Sequence, residues 1–123
     1  MPEMDIALKE AMQIDGALGA ALVDHSSGMA LSVVGGSQDF DLTIAAAGNS
    51  DVVRAELRAM ELLGLEGAIE DVLVTLKDQY HLIRPLTGRA GRGLFLYLVL
   101  ARSRANLALA RHHLRRIEEN IQI

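Results

Sequence analysis

The only stretch of this 123-residue chain with the residue types to hold an anion is Gly88-Arg89-Ala90-Gly91-Arg92-Gly93. Glycine amides and two guanidinium groups are the parts of a phosphate cradle. The flanking sequence points elsewhere. A phosphate loop or dinucleotide fingerprint needs a helix next, and the former needs a Gly-Lys-Ser/Thr ending. Here the strand-like LFLYLVL follows and no lysine is present, so the segment reads as a hairpin loop. His112 and His113 are adjacent, hence about 100° apart on a helix and badly placed to share a metal. His25 falls in a turn and His81 in a strand, so no zinc spacing emerges. Asp24, Asp39, Asp41, Glu70, Asp71 and Asp78 sit at turns, helix starts and strand ends, where backbone amides explain a carboxylate. Ser26-Ser27-Gly28 lacks the context of a nucleophile elbow. No acid/base pair stands out, and the expectation is a protein that is not an enzyme and needs no cofactor.

Composition narrows the classes further. Half the residues are hydrophobic, aromatics are 3% and cysteine is absent. That predicts one folded domain with an aliphatic core, without disulfides or thiolate sites. The N-terminus is acidic early, unlike a secretion signal. No uncharged apolar run approaches the roughly 18 residues of a membrane helix, so a cytoplasmic protein without membrane insertion is expected. Charge is unevenly placed. Residues 1–78 hold 14 Asp/Glu against 4 Lys/Arg, and residues 79–123 hold 2 against 8. With so few aromatics to stack on bases, nucleic acid is not the expected partner; the two halves are expected to attract each other, within the fold or across a dimer.

The elements that position these residues follow from periodicity. Glu3–Ile14 reads as an amphipathic helix with Met4, Leu8, Ala11 and Met12 on one stripe, ended by Gly16. Ala17–Asp24 is apolar on both alternating sets and therefore an interior strand; Asp24–Gly28 is a turn, and Met29–Val34 its edge partner. Ser37 is the expected cap of a long helix running to Leu63. Its first line is Leu42, Ala46, Val53, Leu57, Met60 and Gly64, in phase across the weak point Gly48-Asn49-Ser50-Asp51. A second apolar line, Ala45, Val52, Ala59 and Leu63, exceeds what one sheet face needs to cover. This predicts contact with something outside the chain. Three further strands form a meander. Ile69–Lys77 is peripheral, with only the set Val72, Val74 and Leu76 wholly apolar. The middle run carries Arg84, expected to pair with a carboxylate, and Pro85, expected at a strand end. Leu94–Ala101 is apolar on both faces. Ser103 is the expected cap of a last helix with Leu107, Ala110, Leu114, Ile117 and Ile121 inward, and with Arg115 placed to pair with Glu119.

The predicted class is α+β, αββαβββα, a single domain over residues 1–123. Its five-stranded antiparallel sheet has the order 2-1-5-4-3, with the long second helix on one face and the first and third helices on the other. Joining the two doubly apolar strands is what sets that order.

With these elements in view, the chain resembles the roadblock (dynein light chain) family, in its bacterial branch. The likeness spans Leu18 to Ile117. It is carried by ALVDHSSGM after the first strand, by IAAAG opening the long helix, and by a meander closed by LFLYLVL before SRANLALAR. The resemblance implies a non-enzymatic homodimer in which the long helix and third strand pair with their copies. Ala45, Val52, Ala59, Leu63, Ile69, Asp71, Leu73 and Thr75 would then form the interface. It further implies a Ras-like small GTPase as partner, with Arg54 or Arg58 as candidate contacts. A second reading is a small-molecule sensor of profilin- or PAS-like build; Gly19, Ala20 and Ala21 would have to leave it a cavity.

Overall fold

A computed structural model describes residues 2–37, 40–87 and 92–121. The elements are α1 (Pro2–Ala11), β1 (Ala17–Asp24), β2 (Met29–Gly35), α2 (Leu42–Leu63), β3 (Val72–Thr75), β4 (Gln79–Pro85), β5 (Leu94–Ala101) and α3 (Leu107–Glu119). The strands form one antiparallel sheet in the order β2-β1-β5-β4-β3, as the two doubly apolar strands predicted. β1 and β5 pair at the centre, Ala20 against Leu98 and Leu22 against Leu96.

Alternation along β5 builds two cores. Leu96, Leu98 and Leu100 face α1 and α3 and meet Leu8, Ala11, Leu114 and Ile117. Phe95, Tyr97 and Val99 face α2 and meet Leu42, Ala46 and Val53. Each large side chain taken fully from water contributes about 1.5–3 kcal/mol, which is why a strand greasy on both faces lies mid-sheet. The small residues of β1 serve close packing. A β-carbon on Gly19 would lie 3.1 Å from both the Leu42 side chain and the Gly36 backbone nitrogen. On the α2 side, the space over Gly19 is therefore taken up by Leu42.

Several boundaries differ from expectation. α1 stops at Ala11, and residues 12–14 wind on through shorter turns, Gln13 N–H to Glu10 and Ile14 N–H to Ala11. The cap of α2 is Asp41, not Ser37; its carboxylate accepts from the amides of Thr43 and Ile44, at 2.8 and 3.4 Å. Ser37 instead exchanges backbone bonds with Phe40. α2 runs unbroken through Gly48–Asp51 because Asn49 and Ser50 satisfy themselves, donating to the carbonyls of Ala45 and Ala46. Asn106, not Ser103, caps α3 by accepting from Leu109 N–H. β3 is only Val72–Thr75, and its residues are at best half-buried on either face. The anion-loop residues Gly88–Gly91 lie outside the described residues.

The uneven charge is partly spent inside the chain. Arg111 on α3 makes a two-pronged pair with Asp71, at 2.6 and 2.8 Å, and Arg115 reaches Glu70 at 3.7 Å. Arg115 thus looks across the fold to Glu70, not along its own helix to Glu119. Arg84 is buried on the α1/α3 side of the sheet, where its Nε donates to Glu118 at 3.2 Å and its Nη1 to the Glu70 carbonyl at 3.0 Å. Pro85 ends β4, as anticipated.

Candidate functional site

Exposed leucines gather on the C-terminal half of α2 and on the turn that follows it. The inward line is buried at Leu42, Ala46 and Val53, but beyond Arg54 no residue of α2 is fully buried, Ala59 and Met60 being half-buried. Leu57 is 40% exposed, and Leu62, Leu63 and Leu65 are 84%, 72% and 58% exposed. The nine residues of α2 after Arg54 span about 13.5 Å of helix. Gly64 then turns the chain in the left-handed conformation, at φ 69°, and its amide donates back to Glu61.

The predicted line lies along this helix: Ala45 and Ala59 are half-buried, Val52 and Leu63 exposed. The β3 residues are split between the sheet faces. Leu73 packs against the α1/α3 core, and Asp71, two residues earlier, has its carboxylate bound by Arg111. Thr75 is exposed, and Ile69 is half-buried ahead of the strand. Val72 packs on the core beneath α2, and Val74 shares its side by alternation. Sequence reasoning passes over these two, together with Leu62, Leu65 and Ile44. The signal for Val72 and Val74 is their wholly apolar set; the exposed leucines become visible only once the sheet is seen to end.

Arg54 and Arg58 are not equivalent. Arg54 bonds the His25 carbonyl and Asp51, tying α2 to the β1–β2 turn. Arg58 is exposed and has no ion-pair partner among the described residues.

A polar chain lies on the same face of the sheet. The Tyr97 hydroxyl meets His81 Nδ1 at 2.9 Å, and His81 Nε2 meets Gln79 Oε1 at 2.8 Å. The consistent tautomer carries its proton on Nε2, so that Tyr97 donates to Nδ1. Phe40 closes edge-on over His81 at 5.6 Å. Burial holds the His81 pKa below its ordinary 6.5. It raises Tyr97 to about 12, opposed by the Asn49 side chain. On the opposite face, a groove of about 410 Å³ runs between α1 and α3, lined by Glu10, Ile14, Leu109, His113, Arg116 and Ile117 among others.

Comparison with solved structures places this architecture. A Roadblock/LC7 domain from Streptomyces avermitilis superposes with a TM-score of 0.79, covering 95% of this chain and 92% of that one at 20% identity. The chain has the roadblock fold. Myxococcus xanthus MglB gives a TM-score of 0.81 at 17% identity, covering 96% and 84% of the two chains. The gliding protein MglB from Thermus thermophilus gives 0.69 at 20% identity, covering 96% and 90%. By sequence, no family model and no curated protein matches the chain. No helix among the described residues of this roadblock fold is long and apolar enough to cross a membrane.

Proposed function

We propose that this chain is a bacterial roadblock-family protein acting as a non-enzymatic homodimeric scaffold or regulator of a Ras-like small GTPase. The observation that carries the reading is the C-terminal end of α2, where Leu62, Leu63 and Leu65 stand open to water, with Val52 exposed three turns earlier on the same helix. Soluble monomers rarely leave such a cluster uncovered. A twofold copy placed along α2 and β3 would cover it. Val72 and Val74 would lie under the paired helices, and the short β3 edge would gain a strand. The structural likeness to MglB, described in Thermus thermophilus as a gliding protein, supports a regulatory module of this kind. Arg58 is the better placed of the two arginines for a partner, because Arg54 already holds the β1–β2 turn. Any effect on nucleotide hydrolysis would come from positioning the GTPase's own groups. The protein is expected to act in the cytoplasm.

The test has two arms. Light scattering should give twice the chain mass for the wild type and a single chain mass for Leu62→Glu/Leu63→Glu. Affinity capture from the native cell, with the nucleotide-free, GDP and GTP-analogue states compared, should retain a small GTPase in at least one state. A monomeric wild type ends the dimer reading, and capture without a GTPase in any state ends the partner reading. The sensor alternative finds less support beside β1, where Leu42 packs closely over Gly19.

A further inference from the structure

The groove between α1 and α3 takes no part in the reading above. The two helices lie antiparallel. Leu109, near the start of α3, lines the groove together with Ile14 and Asp15 beyond the end of α1. Ile6, on the first turns of α1, lines a smaller hollow of about 110 Å³ with Asn120 and Ile121 past the end of α3. Groove and hollow share Glu10, Ile117 and Asn120, so they form one furrow. Leu109, His113, Arg116 and Asn120 recur every three or four residues and make its α3 wall, over about 16 Å. Ile6, Glu10 and Gln13 make the α1 wall at the same spacing. The two walls differ in charge. Glu10 and Asp15 belong to one and His113 and Arg116 to the other, yet among the described residues none of the four is in an ion pair. By contrast, Arg111 and Arg115 on the far flank of α3 are held by Asp71 and Glu70. Among the described residues, the exposed large hydrophobics of α1 and α3 are Ile6 and Leu109, at 55% and 46%. They stand at opposite ends of this furrow.

We propose that the furrow seats an amphipathic helix of a partner protein, with basic residues along one flank and acidic residues along the other. Its apolar face covers Ile6, Ile14, Leu109 and Ile117. Its basic flank meets Glu10 and Asp15, and its acidic flank meets His113 and Arg116. A strand has little to pair with here, because helix backbone groups bond within their own helices. A straight furrow three turns long, bordered by side chains at helical spacing, suits anchors at i, i+3, i+4 and i+7. A nucleic acid or an anionic lipid surface would be drawn to the α3 wall and repelled by the other. The furrow lies across the sheet from α2, so the proposal stands or falls apart from the dimer above. In that dimer, both furrows open on the side away from the paired helices.

Four-turn synthetic peptides, each held helical by a staple on its outward side, test this in fluorescence anisotropy with the whole chain. They share a leucine–alanine face and differ at the flanks: lysine on one and glutamate on the other, lysine on both, or glutamate on both. The mixed peptide should bind about threefold or more tighter than either uniform one, exposed ion pairs being individually weak. Glu10→Lys/Asp15→Lys makes both walls basic and should transfer the preference to the all-glutamate peptide. His113→Glu/Arg116→Glu makes both acidic and should transfer it to the all-lysine peptide. All four positions are exposed, so circular-dichroism melts should match the wild type's; if one charge variant melts early, the other decides. Absence of binding by every peptide overturns the proposal, as does a wild type that favours a uniform one. So does an order of preference that the groove substitutions leave unchanged, or binding that only Leu62→Glu/Leu63→Glu abolishes. If Ile6→Gln/Leu109→Gln lowers the sedimenting mass of the protein alone, a second copy fills the furrow and the proposal falls.

Discussion

Arg84 and Glu118 are the buried charged pair of the α1/α3 face, and their worth depends on being kept together. Removing one partner strands the other away from water, so Glu118→Ala should lower unfolding stability by about 3–5 kcal/mol, whereas replacing both with leucine should be nearly neutral. Paired urea titrations separate the two outcomes. That Arg84 would seek a carboxylate was legible from an arginine inside an apolar strand. Which carboxylate was not, because Glu118 lies 34 positions away in sequence and nothing local marks it. The Tyr97–His81–Gln79 chain was illegible for the same reason: it exists only once β4 and β5 pair, with Ile83 opposite Tyr97 and His81 opposite Val99. It has a pH signature. His81 titrates lower when folded than when unfolded, so the unfolded chain takes up protons first as pH falls. The group's contribution is therefore full above about pH 6.5 and is lost on acidifying below it. Tyr97 acts in the opposite sense. Its folded pKa near 12 against an ordinary 10 makes its contribution full below pH 10 and lost between 10 and 12. In melts across pH, His81→Phe should flatten the acid arm and Tyr97→Phe the alkaline arm.

Among the elements, the start of α2 shows how close alternatives compete. Ser37 and Asp41 both have capping side chains, and sequence alone favours the serine. The chain uses Ser37 and Phe40 to close a small bridge and leaves Asp41 to hold the first amides. Asp41→Ala should therefore cost about 1 kcal/mol in chemical denaturation, and Ser37→Ala only a few tenths. Helix phase extends correctly through Gly48–Asp51 and leaves Met60 half-buried, and it misplaces Leu57 because phase says nothing about where the sheet beneath runs out. Gly35 is the sharper constraint at the other end of the same layer. It holds φ at +80°, and a β-carbon there would sit 2.7 Å from the Leu18 carbonyl oxygen and 2.9 Å from Met12 Cε. Gly35→Ala should cost about 1–3 kcal/mol by the same denaturation measurement, and more than the equivalent change at exposed Gly48, which has nothing within 4 Å.

For the molecule as a whole, sheet order was readable because LFLYLVL and ALGAALV are each apolar on both sides and can only be neighbours in the middle. The proposed contact surface was half-readable: the surplus apolar line on α2 stood out in the sequence, but the bare leucines at its end did not. On the proposed reading, Arg58→Ala should leave the thermal stability of the isolated protein unaltered, while retention of the proposed GTPase partner in an affinity assay falls several-fold. Sheet order also has a consequence for biosynthesis. β1 is made early and its central companion begins only at Leu94, so a ribosome releases most of the polypeptide before the middle of the sheet can close. Until then the β1–β2 hairpin presents a bare flank, and so does the β3–β4 hairpin once it emerges. Non-local pairing of this sort slows folding, and a nascent chain cut short before Leu94 would offer its unsealed first strand to whatever chaperone or neighbour reached it.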